Sequence, residues 1–164
     1  MCGVPHHNFQ HYVAKLLRAG HKVAVAEQME APSAAKKLVR RAVTRLITPG
    51  TVIEDELLEP TATNFLVAIE HDIVGWGAAC IDVSTGEFWA TQTLNDRGCR
   101  KLFDLLARVR PAEVLATPAA AAVLKLREAL PARTCLTPLE RPSTAEVSPA
   151  WAQGPLWTNH HLAA

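Results

Sequence analysis

Cysteine is scarce in this chain and poorly placed for pairing. Its 164 residues include four, Cys2, Cys80, Cys99 and Cys135, widely scattered and with no CxxC pair. A disulfide framework is therefore not expected, and a reduced, cytoplasmic setting is. No apolar run approaches the roughly 20 residues of a membrane span, so no membrane partner is expected. The opening stretch MCGVPHHNFQ has neither a basic start nor an apolar run, and does not read as a secretory signal. There is no GxSxG elbow and no GxxxxGK(S/T) phosphate loop, so this chain by itself is not expected to hydrolyse ATP.

What is present fits an ordinary globular protein, with 49% hydrophobic and 20% charged residues. The net charge of +1 conceals a division. Residues 1–51 carry eight basic against two acidic side chains, a net +6, and the remainder carries −5. Such asymmetry suggests different partners for the two parts, and a basic N-terminal third suits a polyanion such as nucleic acid. A solvated basic face is the blander alternative.

The pattern along the chain reads as α/β. Phe9, Tyr12, Val13, Leu16 and Leu17 mark one face of a helix, with Asn8 as N-cap and Gly20 at its end. A strand follows at Val23 to Val25, a short helix or turn at APSAAKK, and a strand at RRAVTRLI that stops at TPGT. The acidic stretch Val52 to Thr63 reads as a linker where the charge changes sign. Beyond it come a strand at NFLVAIEHD and two strands, Trp76 to Asp82 and Glu87 to Thr91, joined by a turn at Gly86. A helix with Leu102, Leu105, Leu106 and Val109 on one face precedes a short buried strand, AEVLAT, and a second helix, PAAAAVLKLREALP. The proline-rich tail from 132 shows no sustained period.

Several constellations invite chemistry. Cys2, His6, His7, His11 and His21 cluster near the start, but a structural zinc site needs paired blocks of ligands and no second block follows. Asp82 ends a strand as a nuclease carboxylate does, with only Glu70 and Asp72 as acidic neighbours. Asp before Ser-Thr-Gly suits a turn better. Trp76, Trp89, Trp151 and Trp157 all lie in the acidic part and read as packing residues rather than base-stacking platforms. Lys36, Lys37, Arg40, Arg41 and Arg45 fall within ten residues. In a regular strand Arg41 and Arg45 share a face and Arg40 points the other way. Guanidinium forks bind phosphate oxygens and fix position on a duplex without reading sequence.

The runs MCGVPHH, YVAKLLRAGHKVAVAEQME and VRRAVTRLITPGTV, followed by NFLVAI and GWGAACIDVSTGEF, resemble consecutive signatures of the MutS family of DNA mismatch-repair proteins. The resemblance covers residues 1 to about 116. It implies that 1–51 are the second half of a mismatch-recognition domain, 52–62 a linker, and 63–164 most of an RNase H-like connector with a mixed sheet and flanking helices, the tail 132–164 being unplaced. It implies mismatched double-stranded DNA as ligand, a MutL-like partner at the connector, a homodimer for the full-length family, and a nucleoid-associated bacterial setting. ATP and Mg belong to an ATPase domain that has no counterpart here, so neither cofactor nor enzymatic activity is expected of this chain. Arg41 falls on the position of a DNA-contacting arginine. Met1, Gly3 and Pro5 fall on a turn close to the minor groove, and Lys36 and Arg40 are phosphate-contact candidates from local charge. The family's Phe-x-Glu wedge is absent, and Met1 resembles an internal methionine of a longer protein. Two other readings stay open: a protein-interaction module without useful DNA binding, and a nuclease remnant centred on Asp82.

Overall fold

A computed structural model describes residues 3–29, 39–54, 57–58 and 63–139. Two sheets organise them. A 3₁₀ turn, His6–Asn8, leads into helix α1, Phe9–Arg18. Its buried Val13, Ala14 and Leu17 recur at the helical spacing expected of one apolar face. Gly20 takes a left-handed φ of +81° just past its end. Strands β1, Val23–Gln28, and β2, Arg41–Ile47, pair antiparallel as a two-stranded ribbon. Helix α1 covers the inner face of this ribbon. Val13, Leu17, Val25 and Ile47 form a small core with Val52 and Leu57, so the stretch after the Pro-Gly turn contributes to it.

The second unit is a five-stranded mixed sheet in the order β5-β4-β3-β6-β7. Strands β3, Phe65–His71, β4, Gly75–Asp82, and β5, Glu87–Leu94, form an antiparallel meander. Gly86, at φ +74°, turns the chain between β4 and β5. Strand β6, Glu113–Ala116, then pairs parallel with β3, and β7, Cys135–Pro138, pairs parallel with β6. Three antiparallel strands followed by two parallel ones agree with the RNase H-like expectation. Helix α2, Arg100–Val109, crosses between β5 and β6 and buries Leu102, Leu105 and Leu106 against the sheet. Trp76 is buried with its indole N–H donated to Asp96, and Trp89 meets Phe65 edge-on. Both pack rather than present a platform.

One expectation needs correction. The stretch PAAAAVLKLREALP is two helices: α3, Pro118–Val123, capped by the Thr117 hydroxyl, and α4, Leu126–Ala129. Lys125 between them has φ +47°, which ends an α-helix. The tail from 132, unplaced from sequence, opens with a turn and continues as strand β7. Four residues are too few to show a period, and this strand is recognisable only by its pairing with β6. The helix or turn expected at APSAAKK, together with Trp151 and Trp157, lies outside the described residues.

Leu105 is 1% exposed beneath the sheet. Leu105→Ala should lower stability by about 2–5 kcal/mol, the usual range for a buried leucine truncation. Urea denaturation followed by tryptophan fluorescence checks this, and a loss below about 1 kcal/mol would mean the α2–sheet core is not cooperative.

Candidate nucleic-acid interface

The register of the ribbon decides where its arginines point. Val25 pairs with Arg45, but the next residue, Ala26, pairs with Val43, leaving Thr44 as an extra residue in β2. This is a β-bulge, and the Thr44 hydroxyl donates to the carbonyl of Val25 there. One extra residue reverses the alternation of a strand. Arg41 and Arg45 therefore do not share a face, contrary to the regular-strand expectation. Arg41 lies opposite Gln28, on the outer face with Val43 and Leu46, and all three are exposed. Arg45 lies opposite Val25, on the face that α1 covers. Its guanidinium sits 5.8 Å from the Phe9 ring centroid and 3.5 Å from the Glu54 carboxylate. Both charges of that pair are substantially exposed, so it adds little stability.

Of the site residues expected from sequence, Arg40 and Arg41 come together at the entrance of β2 and are exposed. Gly3 and Pro5 are also exposed, but on the segment that leads into α1 by way of His6–Asn8. Met1 and Lys36 lie outside the described residues. Among the described residues, no group of three His, Cys, Asp or Glu is placed to hold a metal ion.

The Pro-Gly turn itself faces inward. Pro49–Thr51 form a 3₁₀ turn with Pro49 and Gly50 buried against the second sheet. The Gly50 N–H donates to Glu113 Oε2 at 3.1 Å, and the Thr137 hydroxyl donates to Oε1 of the same carboxylate. Glu113 is 2% exposed, and a buried carboxylate needs such donors. A side chain at residue 50 would place Cβ 2.8 Å from Glu113 Cβ and 3.0 Å from Leu66 Cδ1, so only glycine fits. Asn64 adds a second link, donating its side-chain N–H to the Pro49 carbonyl and its backbone N–H to Asp82. Sequence reading passed over Glu113. The available signal was an acid opening the otherwise apolar strand EVLA.

Asp82 is 1% exposed and also accepts from the Ser84 N–H and hydroxyl. Burial pushes its pKa up. The Ser84 hydroxyl and the Asn64, Ser84 and Thr85 N–H groups outweigh that, and hold it below the ordinary value. Glu70 pairs across from Gly77, five residues up β4 from Asp82, roughly 17 Å at strand spacing. Asp72 follows beyond β3. The carboxylates do not converge as two-metal chemistry requires, and Asp82 is the strand-end turn residue. The cysteines are also buried and unpaired at Cys80, Cys99 and Cys135. Burial, aided by Glu87, pushes the Cys80 thiol up to about 12, which leaves it unreactive.

These features define a class: a basic ribbon unit docked on a separate α/β unit that has no converging acid cluster among its described residues. Comparison with known proteins makes the assignment specific. The family model described as MutS domain I matches residues 1–56, and that described as MutS domain II matches residues 64–146. The chain belongs to the MutS family of DNA mismatch-repair proteins. It is 45% identical over 115 residues to the DNA mismatch repair protein MutS of Syntrophomonas wolfei, covering 70% of this chain and 13% of that protein. It is 49% identical over 115 residues to that of Myxococcus xanthus, covering 70% of this chain and 12% of the relative. With that of Symbiobacterium thermophilum it is 45% identical over 122 residues, covering 74% and 14%. The chain thus spans about an eighth of the length of these relatives.

Two outcomes test the junction. Gly50→Ala forces a contact that should destabilise by about 1–3 kcal/mol and expose the amides of residues 49–51 to hydrogen exchange. Unchanged protection there would refute the docking. Because the Asp82 pKa is depressed in the folded state, its contribution is present above its unfolded value near 3.8 and is lost as pH falls through the lower folded value. Asp82→Asn should therefore flatten the stability profile below about pH 4, read from urea midpoints at successive pH values.

Proposed function

We propose that this chain is the DNA-contacting and relay portion of a mismatch-repair protein, with the outer face of the β1–β2 ribbon resting on the duplex backbone. The observation that carries this is the exposure of Arg41 on the ribbon's outer face, next to Arg40. A guanidinium in that position bonds phosphate oxygens bidentately and gives affinity without sequence preference. Lys36, Gly3, Pro5 and Met1 remain supporting candidates. Lys36 lies within a few residues of Arg40 in sequence, and the family resemblance implies that the other three belong to a turn close to the minor groove.

The relay is mechanical. The strand that carries Arg41 runs directly into the buried Pro-Gly turn, and that turn is hydrogen-bonded to Glu113 and, through Asn64, to Asp82. A load on the ribbon therefore bears on β6 and β4 of the connector sheet. Coupling to an ATPase elsewhere in a longer protein, a MutL-like partner on the connector, homodimerisation and a nucleoid setting all follow from the family. No catalysis and no cofactor are assigned to this chain itself.

A second reading has its own support. Val43 and Leu46, 66% and 64% exposed, flank Arg41 on the outer face. Such apolar exposure also suits packing against further protein, with this chain acting as an interaction module. The two readings differ in salt dependence.

Arg41→Ala should weaken binding of a short duplex and reduce the slope of log affinity against log salt by about one. Fluorescence anisotropy across a salt series checks this, with matched and mismatched duplexes bound alike because the Phe-x-Glu wedge is absent. A wild-type affinity insensitive to salt, or unaltered by Arg41→Ala, would favour the interaction-module reading.

A further inference from the structure

Where the two units meet, on the side of the junction reached by the end of α1, there is a concave cleft of about 650 Å³. Its lining includes Arg108, Arg110 and Arg133 from the connector, and Arg18 from the end of α1. No described acidic residue lines it. Arg108, Arg110 and Arg133 are all exposed, and none of the three makes an ion pair or side-chain hydrogen bond among the described residues. The floor is aliphatic, with Leu17, Val52, Leu57 and Val109, and its described residues include no aromatic ring.

We propose that this junction cleft binds a compact phosphate-bearing anion of nucleotide size, gripped by Arg108, Arg110 and Arg133. The volume falls in the range of small-ligand sites, where an apolar floor takes the body of a ligand and a few polar groups fix its orientation. Guanidinium forks suit phosphate oxygens. A duplex presents its phosphates on a convex rod, which a concave cleft does not follow. A single strand would want aromatic platforms for its bases, and the floor has none. An acidic peptide spreads its charges along an extended chain, whereas three cations around one concavity suit a group that concentrates charge.

Helix ends explain only part of this cluster. The C-termini of α1 and α2 both approach the cleft, and such ends attract cations, which accounts for Arg18 and Arg108 in the last turns. It does not account for Arg133, which lies in the turn before β7. It does not account for Arg110 either, whose φ of +49° is a left-handed position that glycine normally fills after a helix. An arginine is kept there against backbone preference. The two units also touch beside the cleft: a Cβ on Gly20 would fall 2.4 Å from the Arg133 carbonyl oxygen. Occupancy of the cleft would thus be felt by both units.

The site is separate from the outer face of the ribbon, so it stands or falls independently of duplex binding, and Arg41→Ala serves as the control that leaves it unchanged. The test is calorimetric titration of the whole chain with pyrophosphate and with ATP, in the absence of divalent ions and at low salt. Saturable one-site binding is expected, weakened roughly tenfold or more in Arg110→Gly and in Arg133→Ala. Arg110→Gly should keep or raise the melting temperature, because glycine relieves the left-handed backbone, so loss of binding there cannot be put down to unfolding. No saturable binding by the wild-type chain, or undiminished wild-type affinity in Arg110→Gly and Arg133→Ala, would overturn the proposal. So would displacement of pyrophosphate by a short duplex but not by ATP, since that would assign the arginines to DNA backbone.

Discussion

The carboxylate of Glu113 lies at the head of β6, 2% exposed, with a glycine N–H on one oxygen and a threonine hydroxyl on the other. A charge so placed is tolerated only while its donors stay in reach, because losing one leaves a buried anion partly unsatisfied. That requirement is what ties the N-terminal unit to the connector. The two units have separate cores, one beneath the ribbon and one beneath the five-stranded sheet. The donor from Gly50, and the parallel link from Pro49 through Asn64 to Asp82, are what make their relative placement specific. Both acids stand at the same end of the sheet, on the strands that flank β3, so the turn is held from two sides.

This arrangement reverses the apparent meaning of the TPGT signature. Following three arginines, the bend invites a reading as the tip of a DNA-binding loop. Its two central residues are instead buried, and the exposed Arg40 and Arg41 stand at the other end of β2. Glycine at 50 is required by space, since its backbone angle is unremarkable and any side chain would enter Glu113 and Leu66. A short rigid turn that fills a socket passes displacement on, whereas a flexible linker would absorb it. The stretch after it continues the same logic, since Val52 and Leu57 return to the first unit's core.

Much of this was legible in the sequence, because much of it is periodic. Phe9 to Leu17 and Leu102 to Val109 carry the spacing of a helix face, and β3 and β4 alternate buried and half-buried residues along their length. The unbroken match of GVPHH, EQ and ITPGT gave the family. Illegible features were those that depend on a partner distant in sequence. The bulge at Thr44 exists only in the pairing of β2 with β1, and it alone decides that Arg41 and Arg45 diverge. The break at Lys125 leaves no mark in an alanine-rich run that favours helix on both sides. Strand β7 is four residues long and gains its identity from β6. Glu113 reads in sequence as one acid in an apolar strand, and only the fold sets residue 50 against it.

Net charge shows the same limit from the other direction. A sum of −5 over residues 52–164 predicts nothing cationic there, yet three arginines from that part border a single cleft. Sums average over faces, while binding depends on which charges the fold gathers and which it separates. Here the acids at 82 and 113 are drawn inward and spent on backbone donors. The arginines at 108, 110 and 133 are left at the rim, beside the end of a helix from the other unit. Separating the signs in this way lets a part with negative total charge offer a positive surface. It also sets that surface against the junction through which the ribbon and the sheet are joined, and the two features meet at Pro49 and Asn64.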